Sequence, residues 1–386
     1  MSMVALSIDA LLPALGFISQ DLAIQDANQT QFVIGVLFLG MALGQLVCGP
    51  LSDALGRKPV LYGSLGVYLV GSCVGFVAND LAGLLTGRFI QGLGVAGPYI
   101  SAISLVRDQY KGRGMARIMS LVMMIFVMVP AIAPALGQAV LFITSWHGIF
   151  ILYFVYALIV LLWVFLRLAE TLPAEKRIPF TRDGLIAGFK EVLSNRFTTS
   201  LIICIGLSSG SFIGYLTSSQ QIIQVQFDTG RMFSVYFGIL ALVLGVSSLL
   251  NSRFVERLGM HYIASRAFAV NVAASLVFIV VQWMVVDVEL WMFMFYVGIL
   301  FFCFGLLFGN LNAMAMEPMG HVAGIAAAII GSVSSIMSLS IGTTIGQLYD
   351  GTVMPITGGF LITSGLALAL LHRSQRYKEV EIQTAD

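Results

Sequence analysis

Twelve apolar stretches, each long enough to cross a lipid bilayer as a helix, constrain the fold of this chain more than any other feature. A helix needs about 20 apolar residues to span the hydrocarbon core of a membrane. Only 10% of the residues are charged and 58% are apolar, whereas soluble domains are about 25% charged, so a soluble fold could not bury this apolar surface. The sequence therefore predicts an all-α membrane protein with twelve transmembrane helices, at 1–19, 32–51, 60–78, 81–106, 116–141, 148–168, 198–222, 232–254, 262–283, 289–312, 323–346 and 353–372.

One long polar connection separates the sixth apolar segment from the seventh and divides the chain into two sets of six. It predicts an N-terminal six-helix bundle at 1–168, a linker at 169–197, and a C-terminal six-helix bundle with a short tail at 198–386. The turn after the second segment of each half has an acid three residues before a glycine, at 53–56 and at 256–259. This repeated sequence pattern indicates that the two halves are pseudo-symmetric repeats.

The first apolar segment is short at its start. About 20 residues precede the loop near Asp21, and no basic lead comes before them. We therefore expect that helix 1 is truncated, either because Met1 is a late start or because the natural sequence extends upstream.

The distribution of charge predicts the orientation in the membrane. Of the 20 Lys and Arg residues, all but Arg88 and Arg231 lie in or beside the tail and the loops after even-numbered segments, whereas the other loops carry mainly acids. Basic loops stay on the cytoplasmic side of a membrane. The linker and both termini are therefore expected in the cytoplasm.

Composition and spacing argue against several other classes of function. The net charge of +1 gives no reason to expect nucleic-acid binding. The four cysteines fall inside apolar segments without the spacing of metal ligands, so they are expected to pack as small apolar side chains, with no metal or cofactor. A membrane enzyme would need a nucleophile, a metal set or paired carboxylates at depth, whereas this sequence offers one deep acid and one deep base, so we do not expect an enzyme. A membrane sensor that transports nothing is a further alternative, and demonstrated substrate flux would exclude it.

Asp9 is the most informative charged residue in the apolar segments. It lies eleven residues before Gln20, so a rise of about 1.5 Å per residue places it roughly 16 Å below the outer face, near the centre of the bilayer. An acid at that depth must face a cavity, find a partner or take up a proton. Asp9 is thus a candidate proton carrier and substrate ligand, and the alternative is an acid that reaches the interface from a frayed terminus.

Arg88 is the only basic residue deep within an apolar segment, about 12 Å into the fourth helix. Gln91 shares its helix face at i+3. The run from Arg88 to Gly92 resembles the R-x-x-Q-G motif of proton-coupled drug antiporters. The resemblance implies that Arg88 favours deprotonation of a nearby acid or holds an anionic group of a substrate. The alternative is a structural hydrogen bond to neighbouring carbonyl groups.

The turn between the second and third segments reads Gly-Pro-Leu-Ser-Asp-Ala-Leu-Gly-Arg-Lys, from Gly49 to Lys58. It resembles the G-x-L-x-D-x-x-G-R-[RK] signature of the major facilitator superfamily at every position. The resemblance implies two six-helix bundles and a secondary transporter whose signature loop acts as a gate. We expect Asp53 to cap the next helix and Arg57 to reach Asp108, with Gly56 completing the motif.

The fifth segment carries Pro130, Pro134 and Gly137 and resembles the G-P-x-x-G-G motif of the exporter branch of that superfamily. It departs from the motif at Ala133 and Gln138, which weakens the inference of export. The departures keep open a proton-coupled metabolite transporter, importing or exporting.

Further stretches, at 7–15, 170–173 and 251–255, look like the Bcr/CflA family of multidrug efflux transporters, which exchange drugs for protons. The resemblance implies a monomeric, multi-pass antiporter of a bacterial inner membrane. It would export small amphipathic compounds, such as antibiotics, and have protons and the bilayer as its other partners. The candidate substrate ligands are the polar residues of the apolar segments: Asp9, Arg88, Gln91, Tyr99, Tyr215, Gln220, Tyr236 and Asn310.

Overall fold

The computed structural model describes residues 1–110, 112–177, 181–285 and 287–385, and all regular structure within them is helical. Eleven stretches are long and apolar enough to cross a membrane, and the described part of the predicted fifth segment adds a shorter apolar helix, Met128–Ile143. The prediction of an all-α, multi-pass fold is therefore confirmed. Contacts divide the chain into an N-terminal unit, Met1–Leu185, and a C-terminal unit, Ile186–Asp386.

The N-terminal unit contains the first six predicted segments. Its helices are α1 Ser2–Asp9, α2 Leu15–Asp21, α3 Phe32–Leu55, α4 Arg57–Phe76, α5 Leu81–Gln109, α6 Gly112–Ile143 and α7 His147–Arg167. An additional helix, α8 Arg182–Ser194, lies in the predicted linker.

The C-terminal unit contains the other six segments. Its helices are α9 Arg196–Ser219, α10 Phe233–Leu258, α11 Met260–Met284, α12 Leu290–Met316, α13 Ala323–Gln347 and α14 Met354–Ala385. A π-helical stretch, Gln220–Gln226, continues α9. Such local changes in hydrogen-bond register frequently occur at functional sites.

The first predicted helix is broken in the structure. The α-helical part ends at Asp9, a short 3₁₀ turn follows at Leu12–Ala14, and α2 resumes at Leu15. Pro13 lies in this turn, and proline has no N–H to continue the hydrogen-bond ladder of an α-helix. The break therefore places the carboxyl of Asp9 at a helix end.

Small residues allow α3 and α5 to pack backbone against backbone. A methyl group built on Gly40 of α3 would collide with the carbonyl oxygen of Phe89, and one on Gly92 of α5 would collide with that of Leu37. Glycine permits such close approach between membrane helices. The approach brings Arg88 within reach of the backbone of α3.

Candidate functional site

Arg88 is fully buried in the N-terminal unit and is held by three directed hydrogen bonds. Its Nε donates to the Val33 carbonyl oxygen at 3.0 Å, Nη2 donates to the Ser7 carbonyl oxygen at 2.8 Å, and Nη1 donates to Oε1 of Gln91 at 2.9 Å. All three acceptors are neutral, and no ion pair between Arg88 and an acid is found among the described residues. The hydrogen bonds of Arg88 therefore connect α1 and α3 to α5.

Polar side chains extend this arrangement into a buried cluster, the Arg88 network. Nε2 of Gln91 donates to the Ser72 hydroxyl at 2.9 Å. The hydroxyls of Ser7 and Tyr68 lie 2.6 Å apart, and the Tyr153 hydroxyl donates to the Ser7 carbonyl oxygen at 3.3 Å. The members of the network are Ser7, Tyr68, Ser72, Arg88, Gln91 and Tyr153.

Asp9 lies two residues beyond Ser7, at the C-terminal end of α1. It is only 4% exposed, and neither a hydrogen bond nor a salt bridge to its carboxyl is found among the described residues. A buried charge without a partner is costly, and a helix C-terminus carries a partial negative charge that opposes a carboxylate. An ionised carboxyl at this position therefore needs water or a ligand to stabilise its charge.

Gly137 allows α6 to pack closely against the helix break that follows Asp9. A methyl group at Gly137 would collide with the carbonyl oxygen of Ala10. Pro130 and Pro134 lie inside the same helix, where each removes one backbone donor and favours a bend. The three predicted motif residues of α6 thus lie on the helix that packs against the broken part of the first segment.

The other candidate substrate ligands have varied surroundings. Tyr99 lies half-buried on α5. In the C-terminal unit, Tyr215 is fully buried and no hydrogen-bond partner for its hydroxyl is found among the described residues. Gln220 is buried in the π-helical stretch and donates to Gln224 at 3.1 Å, and Tyr236 is half-buried on α10.

Asn310 is buried and joins two helices of the C-terminal unit. Its Nδ2 donates to Oδ1 of Asn251 at 2.8 Å and to the Leu306 carbonyl oxygen at 2.8 Å. Asn251 donates back to Oδ1 of Asn310 at 3.4 Å. These contacts occupy both ends of the amide and tie α12 to α10.

Arg57 is the centre of a charged cluster at the turn between α3 and α4. Its Nε lies 2.9 Å from Oδ2 of Asp108, and its Nη1 lies 2.5 Å from Oδ1 of Asp53 and 3.1 Å from the Ser52 hydroxyl. Arg57 is 2% exposed and the Asp108 side chain 14%, so these charge-assisted bonds are only partly shielded from water. Gly49 lies within α3, and Lys58 lies over the ring of Tyr62 at 5.6 Å in a cation–π contact.

The expectation that Asp53 caps the next helix is wrong. Asp53 lies inside α3 and accepts from the guanidinium of Arg57. The residue before α4 is Gly56, which has no side chain to cap the helix. Its φ of 107° lies in a region that glycine adopts readily and other residues avoid.

The carboxylate of Glu170, from the chain after α7, caps α4 instead. It accepts from the backbone N–H groups of Arg57 and Lys58, each at 3.0 Å, and from those of Thr171 and Leu172 at the same distance. Partial burial opposes ionisation, but these four donors outweigh it and lower the pKa of Glu170. In the sequence, Glu170 belongs only to a stretch that carries a family resemblance, and nothing there predicts its capping role.

Replacing Glu170 with alanine should destabilise the N-terminal unit by about 1 kcal/mol at pH 7, because the first N–H groups of α4 lose their acceptor. Since the pKa of Glu170 is lowered by folding, its contribution is complete above the ordinary glutamate pKa of about 4.3 and is lost as the pH falls through the lowered value. Thermal unfolding from pH 7 to pH 3.5 measures this, with the exposed Glu175→Ala as control. Equal stability of the two variants at pH 7 would contradict the assignment.

Comparison with known proteins agrees with this architecture. The family model described as Major Facilitator Superfamily matches residues 1–343. The transporter YdgK of Bacillus subtilis, described as an uncharacterized MFS-type transporter, is 26% identical over 365 residues, covering 93% of this chain and 89% of YdgK. A bicyclomycin resistance protein homolog of Haemophilus influenzae is 27% identical over 375 residues, covering 94% of this chain and 90% of that protein.

A solved structure shares the fold. The crystal structure of the human organic anion transporter MFSD10 superposes with a TM-score of 0.64 at 17% identity, and the match covers 96% of each chain. The family match spans most of the chain, and the twelve predicted segments are found as helices. The chain therefore belongs to the major facilitator superfamily, a family of transporters and not of enzymes.

Proposed function

We propose that this protein is a proton-coupled antiporter that exports drugs or other small amphipathic compounds by alternating access. The observation that carries the proposal is Asp9, a 4% exposed carboxyl at a break in the first membrane segment. No ion-pair partner for it is found in the described chain. An isolated acid at membrane depth binds and releases a proton when its access to water changes. The resistance protein homolog among the relatives supports drugs as the class of substrate.

In this mechanism the Arg88 network supplies rigidity and Asp9 supplies the exchangeable proton. Arg88 binds the Ser7 carbonyl oxygen at 2.8 Å, two residues before Asp9, so it fixes the chain that leads to the carboxyl. It does not neutralise that carboxyl by direct contact within the described structure. Protonation of Asp9 removes a buried charge, and substrate binding favours release of the proton.

The proton gradient is sufficient to drive export without ATP. Moving one charge through 100 mV releases about 2.3 kcal/mol. That free energy supports roughly a fifty-fold gradient of a neutral substrate for each proton exchanged.

We place the turn at Arg57 and both termini in the cytoplasm of a bacterial cell, with the spans in its inner membrane. The distribution of basic residues described above supports the orientation, and the bacterial relatives support the inner membrane. The charged cluster of Arg57, Asp53 and Asp108 then lies at the cytoplasmic end of the N-terminal unit, where it acts as a latch on the conformational cycle.

Breaking this latch should alter the rate of transport more than the affinity for substrate. Asp108→Asn removes the charge that Arg57 Nε contacts at 2.9 Å, and a partly exposed pair contributes on the order of 1 kcal/mol. We expect turnover to slow about fivefold, while the substrate dissociation constant stays within about threefold. Transport assays alongside equilibrium binding measure both quantities. Asp183→Asn, in α8, is the control, and wild-type turnover in Asp108→Asn would contradict the latch.

Direction and substrate class are tested in everted membrane vesicles from a pump-deficient host. Vesicles that contain the protein should accumulate drugs when respiration acidifies their lumen, and the host should become less susceptible to those drugs. Accumulation that occurs only in right-side-out vesicles would indicate an importer. Accumulation that persists unchanged when a proton uncoupler is added would exclude proton coupling.

A further inference from the structure

The first membrane segment is packed firmly before its break and loosely after it. The inner part, α1, carries Asp9 and packs against α5, α6 and α7. The 3₁₀ turn at Leu12–Ala14 packs against α6 as well. The outer part, α2, packs mainly against this turn and against a second 3₁₀ turn that follows it, Ala27–Gln31. The long helices of the unit therefore fix α1 in place more firmly than they fix α2.

The side chains of α2 lie on the outer approach to Asp9. Leu15 and Ile18 are buried, whereas Phe17, on another face of the helix, is half-exposed. In the proposed orientation the chain runs from Asp9 through α2 to the outer face of the membrane. A movement of α2 away from the unit would withdraw Leu15 and Ile18 and open a path for water from the outer face.

The indole of Trp146 holds the far end of α2. Its Nε1 donates to Oδ2 of Asp21 at 2.8 Å, across 125 residues of the chain. The indole is almost fully buried, stacks on the ring of His147 with centroids 3.6 Å apart, and meets the edge of Phe150. Because α7 begins at the next residue, the indole belongs to the firmly packed part of the unit. It therefore joins the loosely packed α2 to α7.

Asp21 gains from this donor what its own helix does not supply. It is the last residue of α2, where the free carbonyl groups of a helix carry a partial negative charge that opposes a carboxylate. Within the described parts of the chain, no salt bridge to Asp21 is found. Two residues later, Ala23 has a φ of 50°, which residues other than glycine rarely adopt, so the chain turns sharply after α2. The charge-assisted bond to the indole thus secures the end of the helix.

We propose that Trp146 is a positioning residue for the proton carrier: its bond to Asp21 holds α2 in place and limits the access of outer water to Asp9. The 3₁₀ turn at Leu12–Ala14 interrupts the hydrogen-bond ladder between α1 and α2, so α2 moves without displacing Asp9. Release of the indole opens the outer path, and its return closes it. This inference rests on the proposed function, since it takes Asp9 as the group that exchanges the proton.

The test measures how fast a water-soluble carbodiimide modifies the carboxyl of Asp9 from the outer face. The full chain is studied in right-side-out membrane vesicles, and mass spectrometry of the peptide that contains Asp9 gives the rate. A lipid-soluble carbodiimide, which arrives through the bilayer, gives the reference rate. Trp146→Phe and Asp21→Ala should each raise the ratio of the two rates about fivefold, which corresponds to a hydrogen bond of about 1 kcal/mol.

Three further variants separate the hydrogen bond from a general effect on the fold. Asp21→Asn keeps an oxygen that accepts from the indole, so its ratio should stay within about twofold of the wild type. The double variant, Trp146→Phe with Asp21→Ala, should be no faster than either single variant, because both remove the same bond. Trp291→Phe removes the 2.6 Å bond between an indole and Glu289 in the C-terminal unit, and its ratio should also stay within about twofold.

An unchanged ratio in Asp21→Ala would overturn the proposal, and this variant should fold because Asp21 is exposed. Equal acceleration by Asp21→Asn or by Trp291→Phe would show a general loosening and would overturn it as well. So would a double variant in which the two effects multiply. None of these rates requires transport. If Asp9→Asn still exported uphill, the proposed function would fail, while the control of access by Trp146 would stand on its own measurement.

Discussion

Replacing Asp9 with asparagine should abolish uphill export driven by a pH gradient while leaving a folded protein. Asparagine resembles the protonated carboxyl in shape but cannot release a proton. Because the carboxyl is 4% exposed and no charged partner is found within the described chain, removing its charge should not destabilise the fold. Affinity for a neutral substrate should stay within about threefold, whereas a cationic substrate should bind more weakly because it loses an opposite charge.

The measurement uses proteoliposomes with an imposed pH gradient, with substrate binding followed over a pH series. Asp287→Asn, at an exposed acid in the loop between α11 and α12, is the matched control and should export at the wild-type rate. Asp9→Glu retains a titratable group and should keep part of the activity. If Asp9→Asn exports uphill as fast as the control, another group carries the proton.

Replacing Arg88 with methionine should lower the free energy of unfolding by roughly 3–5 kcal/mol, more than either Glu170→Ala or Ser72→Ala. Arg88 is fully buried, and its removal leaves the carbonyl oxygens of Ser7 and Val33 and the amide of Gln91 without their donor. Each buried acceptor that loses its partner costs about 1–3 kcal/mol. Methionine fills similar space, so the loss reflects the hydrogen bonds and not a cavity.

Chemical or thermal unfolding in detergent measures the change. Arg88→Lys keeps the positive charge but loses the planar set of guanidinium donors, so its stability should lie between that of the wild type and that of Arg88→Met. Ser72→Ala, at the end of the network, should cost only about 1 kcal/mol. A loss below about 1 kcal/mol in Arg88→Met would show that the three contacts do not support the fold.

The sequence predicted the helical segments well because lipid imposes a simple rule of length and apolar character. It predicted one continuous first helix, although Pro13 gave a local signal for the observed break. The π-helical stretch Gln220–Gln226 had no comparable signal. A shift in hydrogen-bond register depends on packing around the helix, and packing cannot be read from residue types alone.

The candidate site was predictable only in part. The depth of Arg88 and its alignment with Gln91 follow from helix geometry, and the structure adds the carbonyl acceptors on α1 and α3. The capping role of Glu170 was not predictable because Glu170 lies 113 residues from Arg57 along the chain, whereas a sequence pattern indicates a cap only within the turn itself. Contacts at such separation arise from the arrangement of the whole six-helix unit.

The most direct test of proton-coupled export is the movement of protons that accompanies substrate transport. Proteoliposomes loaded with substrate and a pH-sensitive dye are diluted into substrate-free buffer without an imposed pH gradient. Substrate efflux should drive protons inwards, so the lumen should acidify in the wild-type protein and not in Asp9→Asn. Efflux from wild-type vesicles without acidification, or equal acidification in both proteins, would contradict the assignment of Asp9 as the proton carrier.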